Sequence, residues 1–246
     1  MTSRYLIELS YDGSNYNGWQ KQPGQPTIQG EIEKALSTIF RQEISIMGSG
    51  RTDAGVHAEQ QFAHFDIEHN EPVQFALILH SLRGLIPHDI YVSDLKLVSS
   101  EFHARFDAIS RQYRYQFSTK YNVFQVRYNW VKIGQFEEKR VQDCAKILLG
   151  EHDFGSFCKH NPDVNNTRCQ VSLSEFDIID KHTFHYRIHA NRFLHHMVRS
   201  IAGNLVEVGF GRISSLDFET LLSNPDRSNC KVSAPAHALF LEKVLY

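Results

Sequence analysis

Ile44-Ser45-Ile46-Met47-Gly48-Ser49-Gly50-Arg51-Thr52-Asp53-Ala54-Gly55-Val56-His57-Ala58-Glu59-Gln60-Gln61-Phe62-Ala63-His64-Phe65-Asp66-Ile67 sets two strand-like runs one after the other. Ile44 and Ile46 mark a short strand ending at Gly48, and Gln60 to Ile67 reads as a longer one. Between them three glycines fall within eight residues, which implies a backbone held in conformations that other residues resist. Upstream, Ile28, Ile32, Ala35, Leu36, Ile39 and Phe40 recur at helical spacing behind Thr27, a candidate N-cap, and Glu31 and Glu33 come early, as the helix dipole favours. Before that helix, Tyr5 to Tyr11 alternates and stops at Asp12-Gly13, a turn signal. Downstream, Pro72 opens a helix through Phe75, Leu77, Ile78 and Leu82, and Ile90 to Val98 is a strand. The order β-α-β-β-α-β is the ferredoxin-like pattern.

The second half repeats it. Arg111 to Ser118 is a strand, and Val141, Ala145, Leu148 and Leu149 line a helix. Gln170 to Ile179 and Thr183 to Ala190 read as paired strands. Leu194, Met197, Val198, Ile201, Leu205 and Val206 form one apolar helix stripe. A shorter helix near Leu216 to Leu222 and a strand from Leu239 to Leu245 follow. The expected fold class is α/β (α+β), with two ferredoxin-like lobes of mainly antiparallel sheet. One lobe spans residues 1–105 and the other 106–246.

With 246 residues, 41% of them hydrophobic and 22% charged, the chain has the composition of an ordinary globular protein. No apolar run reaches the ~18 residues of a membrane span, and the start lacks the apolar core of a signal peptide, so the expected compartment is the cytoplasm. Cys144, Cys158, Cys169 and Cys230 form no C-x-x-C pair and read as buried or incidental thiols. The net charge of −2 hides an uneven distribution. Residues 103–127 set five cations against Asp107 alone, and residues 181–212 set five against Glu207 alone. That asymmetry allows a local anion-binding surface on a near-neutral protein.

Three segments carry chemistry. In the Gly-rich loop, Asp53 lies two residues from Arg51. A neighbouring arginine favours the charged carboxylate, and an ionised, oriented carboxylate serves as nucleophile or general base. Asp followed by Ala-Gly is also an ordinary turn former. In Arg111-Gln112-Tyr113-Arg114-Tyr115-Gln116-Phe117, strand geometry puts Arg111, Tyr113, Tyr115 and Phe117 on one face. Aromatic rings beside guanidinium groups offer stacking planes for bases and charge for phosphates, although a half-buried strand uses the same residues as core. In Asn191-Arg192-Phe193-Leu194-His195-His196-Met197-Val198-Arg199, two adjacent histidines on a helix would point about 100° apart, which disfavours a shared metal. The H-E-x-x-H motif of a two-histidine metal site is absent.

Taken together these segments resemble the tRNA pseudouridine synthase A family across nearly the whole chain. The resemblance rests on Tyr11-Asp12-Gly13 through Gly18-Trp19-Gln20, Thr27-Ile28-Gln29-Gly30 and, most specifically, Gly50-Arg51-Thr52-Asp53-Ala54-Gly55-Val56-His57. It continues through Phe102-His103-Ala104-Arg105-Phe106, Arg111-Gln112-Tyr113-Arg114-Tyr115, Phe154-Gly155-Ser156-Phe157, Phe193 to Arg199 and Ala234-Pro235-Ala236. The resemblance implies that Asp53 is the catalytic aspartate and that Arg51 flanks it. It also implies that Tyr113 packs against the target base and that Arg199 lines the cleft and pairs with the aspartate.

Arg105, Arg114, Arg192 and His195, with Tyr113, are the candidate tRNA contacts. The family's fold is two ferredoxin-like lobes joined in one central sheet with the active-site cleft between them. Its members act as homodimers on uridines 38, 39 and 40 in the anticodon stem-loop of tRNA, with no cofactor and no metal. The chain departs from the family at His237-Ala238-Leu239, where a glycine is usual, and at Leu82-Arg83-Gly84-Leu85-Ile86-Pro87, where an asparagine is usual. Two other readings are a non-catalytic RNA-binding module, which would keep the aromatic strand without needing Asp53, and a histidine-dependent metallohydrolase.

Overall fold

The alternation that begins at Tyr5 extends over Thr2–Tyr11 (β1), which pairs antiparallel on both sides. Ile7 sits opposite Ala63 of His57–Glu68 (β3) and Leu95 of Ile90–Val98 (β4). The structure, a computed structural model, describes residues 2–68, 74–159, 166–230 and 232–246. It divides into two compact units, Met1–Ile109 with Leu241–Tyr246, and Ser110–Phe240.

In the first unit the strands run in the order β4-β1-β3, with Met47–Gly48 (β2) paired to β3 and the end of Leu239–Leu245 (β10) beside it. Ile28–Phe40 (α1) starts where Thr27 accepts the Gly30 amide on its side chain, as its sequence predicts. Ile44 and Ile46 are buried but stand outside β2. Their amides bond to side chains of α1 instead of a strand partner: Ile44 N–H donates to Ser37 Oγ at 2.9 Å and Ile46 N–H to Glu33 Oε1 at 3.1 Å. Phe75–Leu85 (α2) begins after Gln74, and Pro72, the expected start, lies outside the described residues. Arg83 donates to the Val92 and Ser93 carbonyls at 2.8 and 3.0 Å, tying α2 to β4.

In the second unit Ser110–Ser118 (β5) pairs antiparallel with Thr183–Ala190 (β9). That strand pairs with Arg168–Ile178 (β8), and β8 with Gly150–Asp153 (β7). Trp130–Val131 (β6) adds a short parallel pairing to the end of β5. The sequence shows neither β6 nor β7, since two- and four-residue runs carry no readable period. Glu138–Ile147 (α3) buries Val141, Cys144 and Ala145, and Leu149 lies past its end and is exposed. Met197–Gly209 (α4) is buried along most of its length, and Ser215–Ser223 (α5) opens with a reciprocal Ser214–Asp217 capping box. Phe184 stands at the centre of the core, 5.1 Å from Phe136, 5.5 Å from Phe176 and 5.9 Å from Phe117 between ring centroids.

The division read from sequence falls at 105/106 and assigns the whole last strand to the second lobe. Residues 241–246 instead belong to the first unit, so β10 crosses from one unit into the other at 240/241. Ile109 N–H donates to the Leu245 carbonyl at 2.8 Å, and the Tyr246 hydroxyl donates to the Ala104 carbonyl at 2.7 Å. Among the described residues no helix is long and apolar enough to cross a membrane.

Candidate active site

Asp53 is half-buried in the loop that joins β2 to β3. Its neighbours are held from below by the chain that follows β1. The Tyr11 and Thr52 hydroxyls bond at 2.9 Å, and Trp19 N–H donates to the Thr52 carbonyl at 3.1 Å. Gly55 N–H donates to the Tyr16 carbonyl at 3.3 Å, and Val56 N–H closes a turn on the Asp53 carbonyl at 3.1 Å. Gly13 N–H donates to Nδ1 of the buried His57 at 3.1 Å. On the β2 side, Gln61 Nε2 donates to the Gly50 carbonyl at 3.1 Å and Ser49 Oγ bonds Gln61 Oε1. The Gly50, Thr52 and Asp53 carbonyls and the Gly55 and Val56 amides are therefore engaged within the fold, which holds the backbone that carries Asp53 in place.

Two glycines make this contact possible. Gly55 has φ +76°, the left-handed region. Gly18 has φ +87°, and a Cβ there would stand 2.6 Å from the Thr52 carbonyl oxygen. Of the three glycines that mark the loop in the sequence, only Gly55 needs its backbone freedom. Gly48 makes room for the Trp19 indole, which would stand 2.6 Å from a Cβ at that position, and Gly50 faces open space. The glycine pattern thus points to the right loop, while the residue under Asp53, Gly18, lies outside it. The sequence signal for Gly18 is its place in the Tyr11 to Gln20 motif of the family resemblance, which does not show that it packs under Asp53. Arg51 is exposed in the same loop.

In the second unit the structure brings two of the sequence motifs together. Tyr113, half-buried on β5, meets the Phe193 ring edge-on at 5.0 Å between centroids. On the same strand face Tyr115 is buried, and its hydroxyl donates to the Pro235 carbonyl at 3.0 Å. Burial pushes the Tyr115 hydroxyl well above the ordinary tyrosine range, so it stays a neutral donor. Arg199 Nε donates to the Ala234 carbonyl at 2.8 Å, and Ala234 N–H donates to the Arg199 carbonyl at 2.9 Å. Strand β5, the start of α4 and the Ala234-Pro235 segment thus form one hydrogen-bonded wall. Phe193 opens the Phe193 to Arg199 motif, but its packing against Tyr113 is a tertiary contact that the sequence does not show. Ala238, where the family has glycine, is buried in a short helical turn and keeps a negative φ, so the backbone there suits a Cβ.

Two expectations change, while Arg114 falls where the strand alternation puts it. His195 and His196 are not on a helix: α4 starts at Met197, and His196 has φ +66°. Their rings lie 4.5 Å apart, edge to face, instead of diverging, and Leu194 also precedes the helix. Arg114 alternates with Tyr113 along β5, so it faces the opposite side of the sheet, with its guanidinium carbon 5.2 Å from the Phe240 ring centroid. Finally, the basic segment 181–212 is partly neutralised by acids near it in space. Arg187 pairs with Asp177 and Glu175, and Arg212 shares Glu207 with Lys132. Arg105, Arg192 and His195 are exposed.

Comparison with known proteins places these segments in one family. A family model described as tRNA pseudouridine synthase matches residues 9–107 and 144–246. A Porphyromonas gingivalis protein named tRNA pseudouridine synthase A is 39% identical over 245 residues, covering 99% of this chain and 97% of its own length. Proteins of the same name from Bacteroides thetaiotaomicron and Bacillus pumilus are 40% and 38% identical, covering 99% and 97% of this chain and 90% and 97% of their own lengths. The Asp53 loop, the floor beneath it and the wall from Phe193 to Pro235 all lie within the matched residues, and the chain belongs to the tRNA pseudouridine synthase family.

Proposed function

We propose that the protein converts uridine to pseudouridine at positions 38, 39 and 40 in the anticodon stem-loop of tRNA, with Asp53 as the catalytic carboxylate. In this reading it acts in the cytoplasm as a homodimer. Membership of the family supports an isomerase acting on tRNA. The observation that carries the residue assignment is the hydrogen-bonded floor under Asp53. A turn former needs no such fixation, and neither does an RNA-binding module, whereas a carboxylate aimed at one atom does.

The reaction breaks the N1–C1′ glycosidic bond, turns the uracil and joins C5 to C1′. The hydrogen on C5 leaves, and N1 ends with one, so atoms and electrons balance without a redox partner. The target base must first leave its stack, which costs a few kcal/mol and less in a loop. Asp53 supplies the carboxylate near the reacting carbons, with Arg51 and Arg199 as the cations of the site. Tyr113, steadied by Phe193, supplies a flat wall against which a loosened uracil stays in place.

The test is to incubate the purified protein with unmodified tRNA in a chelating buffer, after the RNA has been folded, and to map pseudouridine with a specific chemical label. Label at positions 38–40 supports the reading. Label elsewhere in the tRNA would retain the family activity and refute the position, and dependence on added metal would refute the cofactor-free chemistry.

A further inference from the structure

The segment Phe102 to Asp107 is built more tightly than a connecting loop requires. Each of its six amides has an intramolecular acceptor. Phe102 N–H donates to the Ser99 carbonyl and Asp107 N–H to the His103 carbonyl, both at 3.0 Å. His103 N–H donates to Asp107 Oδ2 at 2.9 Å and Ala104 N–H to His64 Nδ1 at 3.1 Å. The Arg105 and Phe106 amides share His103 Nδ1 at 3.2 and 3.3 Å. Arg4 donates to the Phe102 carbonyl and Tyr246 to the Ala104 carbonyl, and the Tyr246 ring packs 5.1 Å from that of Phe102.

At the tip of this rigid segment the Phe106 ring is 74% exposed. His103 packs against it at 4.2 Å with the planes tilted 31°, and the Arg105 guanidinium carbon stands 5.6 Å from its centroid. The His64 ring in turn meets His103 at 4.8 Å. An exposed phenyl held in place costs solvation without gaining core packing. Its ordering entropy, however, is already spent, which is what a stacking contact needs. A flat ring backed by an imidazole, with a cation beside it, suits a nucleobase and its adjoining phosphate.

We propose that Phe106, backed by His103, is a stacking platform for an unpaired tRNA base, and that Arg105 meets the phosphate next to that base. This rests on the tRNA substrate proposed above and adds a second aromatic contact, separate from the Tyr113 wall. Ile109, also exposed, makes a protein contact the competing occupant that the test must separate.

The experiment measures tRNA affinity over a range of salt for wild type, Phe106→Ala, Phe106→Trp and Arg105→Ala, with sedimentation mass and pseudouridine mapping on the same preparations. Phe106→Ala is expected to weaken binding about 5- to 100-fold, the worth of one stacked base, with the wild-type salt slope. Phe106→Trp should keep affinity within about threefold, because its indole stacks at least as well. Arg105→Ala should lower the salt slope by about 0.7–0.9. Wild-type affinity in Phe106→Ala, with wild type binding and modifying tRNA, would overturn the platform alone. A wild type that binds no tRNA would overturn the substrate reading as well. A loss of affinity that always accompanies a fall in sedimentation mass would assign the ring to a protein contact and overturn the proposal.

Discussion

Thr52 and Gly55, on either side of Asp53, carry hydrogen bonds that hold the loop backbone, so the chemistry proposed for one side chain depends on contacts of its neighbours. Tyr113 is steadied in another way, by a ring edge. If its work is to hold uracil by stacking, Tyr113→Phe should keep tRNA affinity and most of the turnover. Tyr113→Leu should lose about 1–3 kcal/mol of binding, the value of one base on an aromatic ring. Single-turnover rates and filter binding on both variants check this, and wild-type rates in both would remove Tyr113 from the site.

His64 makes stability depend on pH. Burial, with Arg4 and His103 nearby, pushes it down to about 4 against the opposing pull of Asp66 and Asp107. An unfolded histidine takes its proton near pH 6.5. Between those two values the unfolded chain binds a proton that the folded chain refuses, so stability falls as pH drops from about 6.5 to about 4 and is flat above that window on account of this group. His64→Asn keeps an acceptor for the Ala104 amide and cannot titrate. Thermal melts across the window should show a shallower acid slope for the variant, and identical slopes would contradict the assignment.

Among the secondary-structure elements, faces decide what charge can do. Arg114 lies on the β5 face opposite Tyr113 and stacks over Phe240, while Arg192 is exposed just ahead of Phe193. Arg192→Ala should therefore lower the salt slope of tRNA binding by about 0.7–0.9, and Arg114→Ala should leave the slope unchanged while lowering the melting temperature. Equal slope changes in the two would contradict the facing.

The same logic of faces and periods explains what is legible in the sequence. Strands β1, β4 and β9 and helix α1 carry clean periods, and Thr27 and Asp12-Gly13 punctuate them, so their order is readable. Ile44 and Ile46 mislead because burial resembles strand alternation while their amides bond to Ser37 and Glu33, a tertiary fact. His195 and His196 mislead because an apolar stripe hides a left-handed residue at the helix start. The count of local charge misleads because Arg187 meets Glu175 and Asp177, acids outside the counted segment. Asp53, Tyr113 and Arg199 stand out through motif resemblance. The Gly18 floor and the Phe193 brace arise from contacts between segments far apart in the chain, which no local pattern encodes.

In the molecule as a whole, the chain returns to its first unit only in its last residues. Leu241 and Val244 are buried there, and Val244 N–H donates to Gln60 Oε1 at 3.2 Å. Tyr246 packs against Phe62 at 5.3 Å and Phe102 at 5.1 Å. Deleting residues 241–246 removes two buried aliphatic side chains, each worth about 1.5–3 kcal/mol, from a unit whose total stability is on the order of 5–15 kcal/mol. Calorimetry of the truncated chain should show an early transition for the first unit, and an unchanged melting profile would contradict that placement.

Whether this pseudouridine synthase works through Asp53 is decided by the Asp53→Asn variant. The change is nearly isosteric, and the loop is held by backbone and by Thr52, so the fold should survive. It removes the negative charge that either nucleophilic or basic chemistry needs. Single-turnover pseudouridine formation, measured beside filter binding and a thermal melt, should fall by several orders of magnitude with tRNA affinity changed less than about tenfold, or roughly 1.4 kcal/mol. An Asp53→Asn protein that melts normally, binds tRNA and isomerises uridine at a comparable rate would contradict the catalytic role of Asp53.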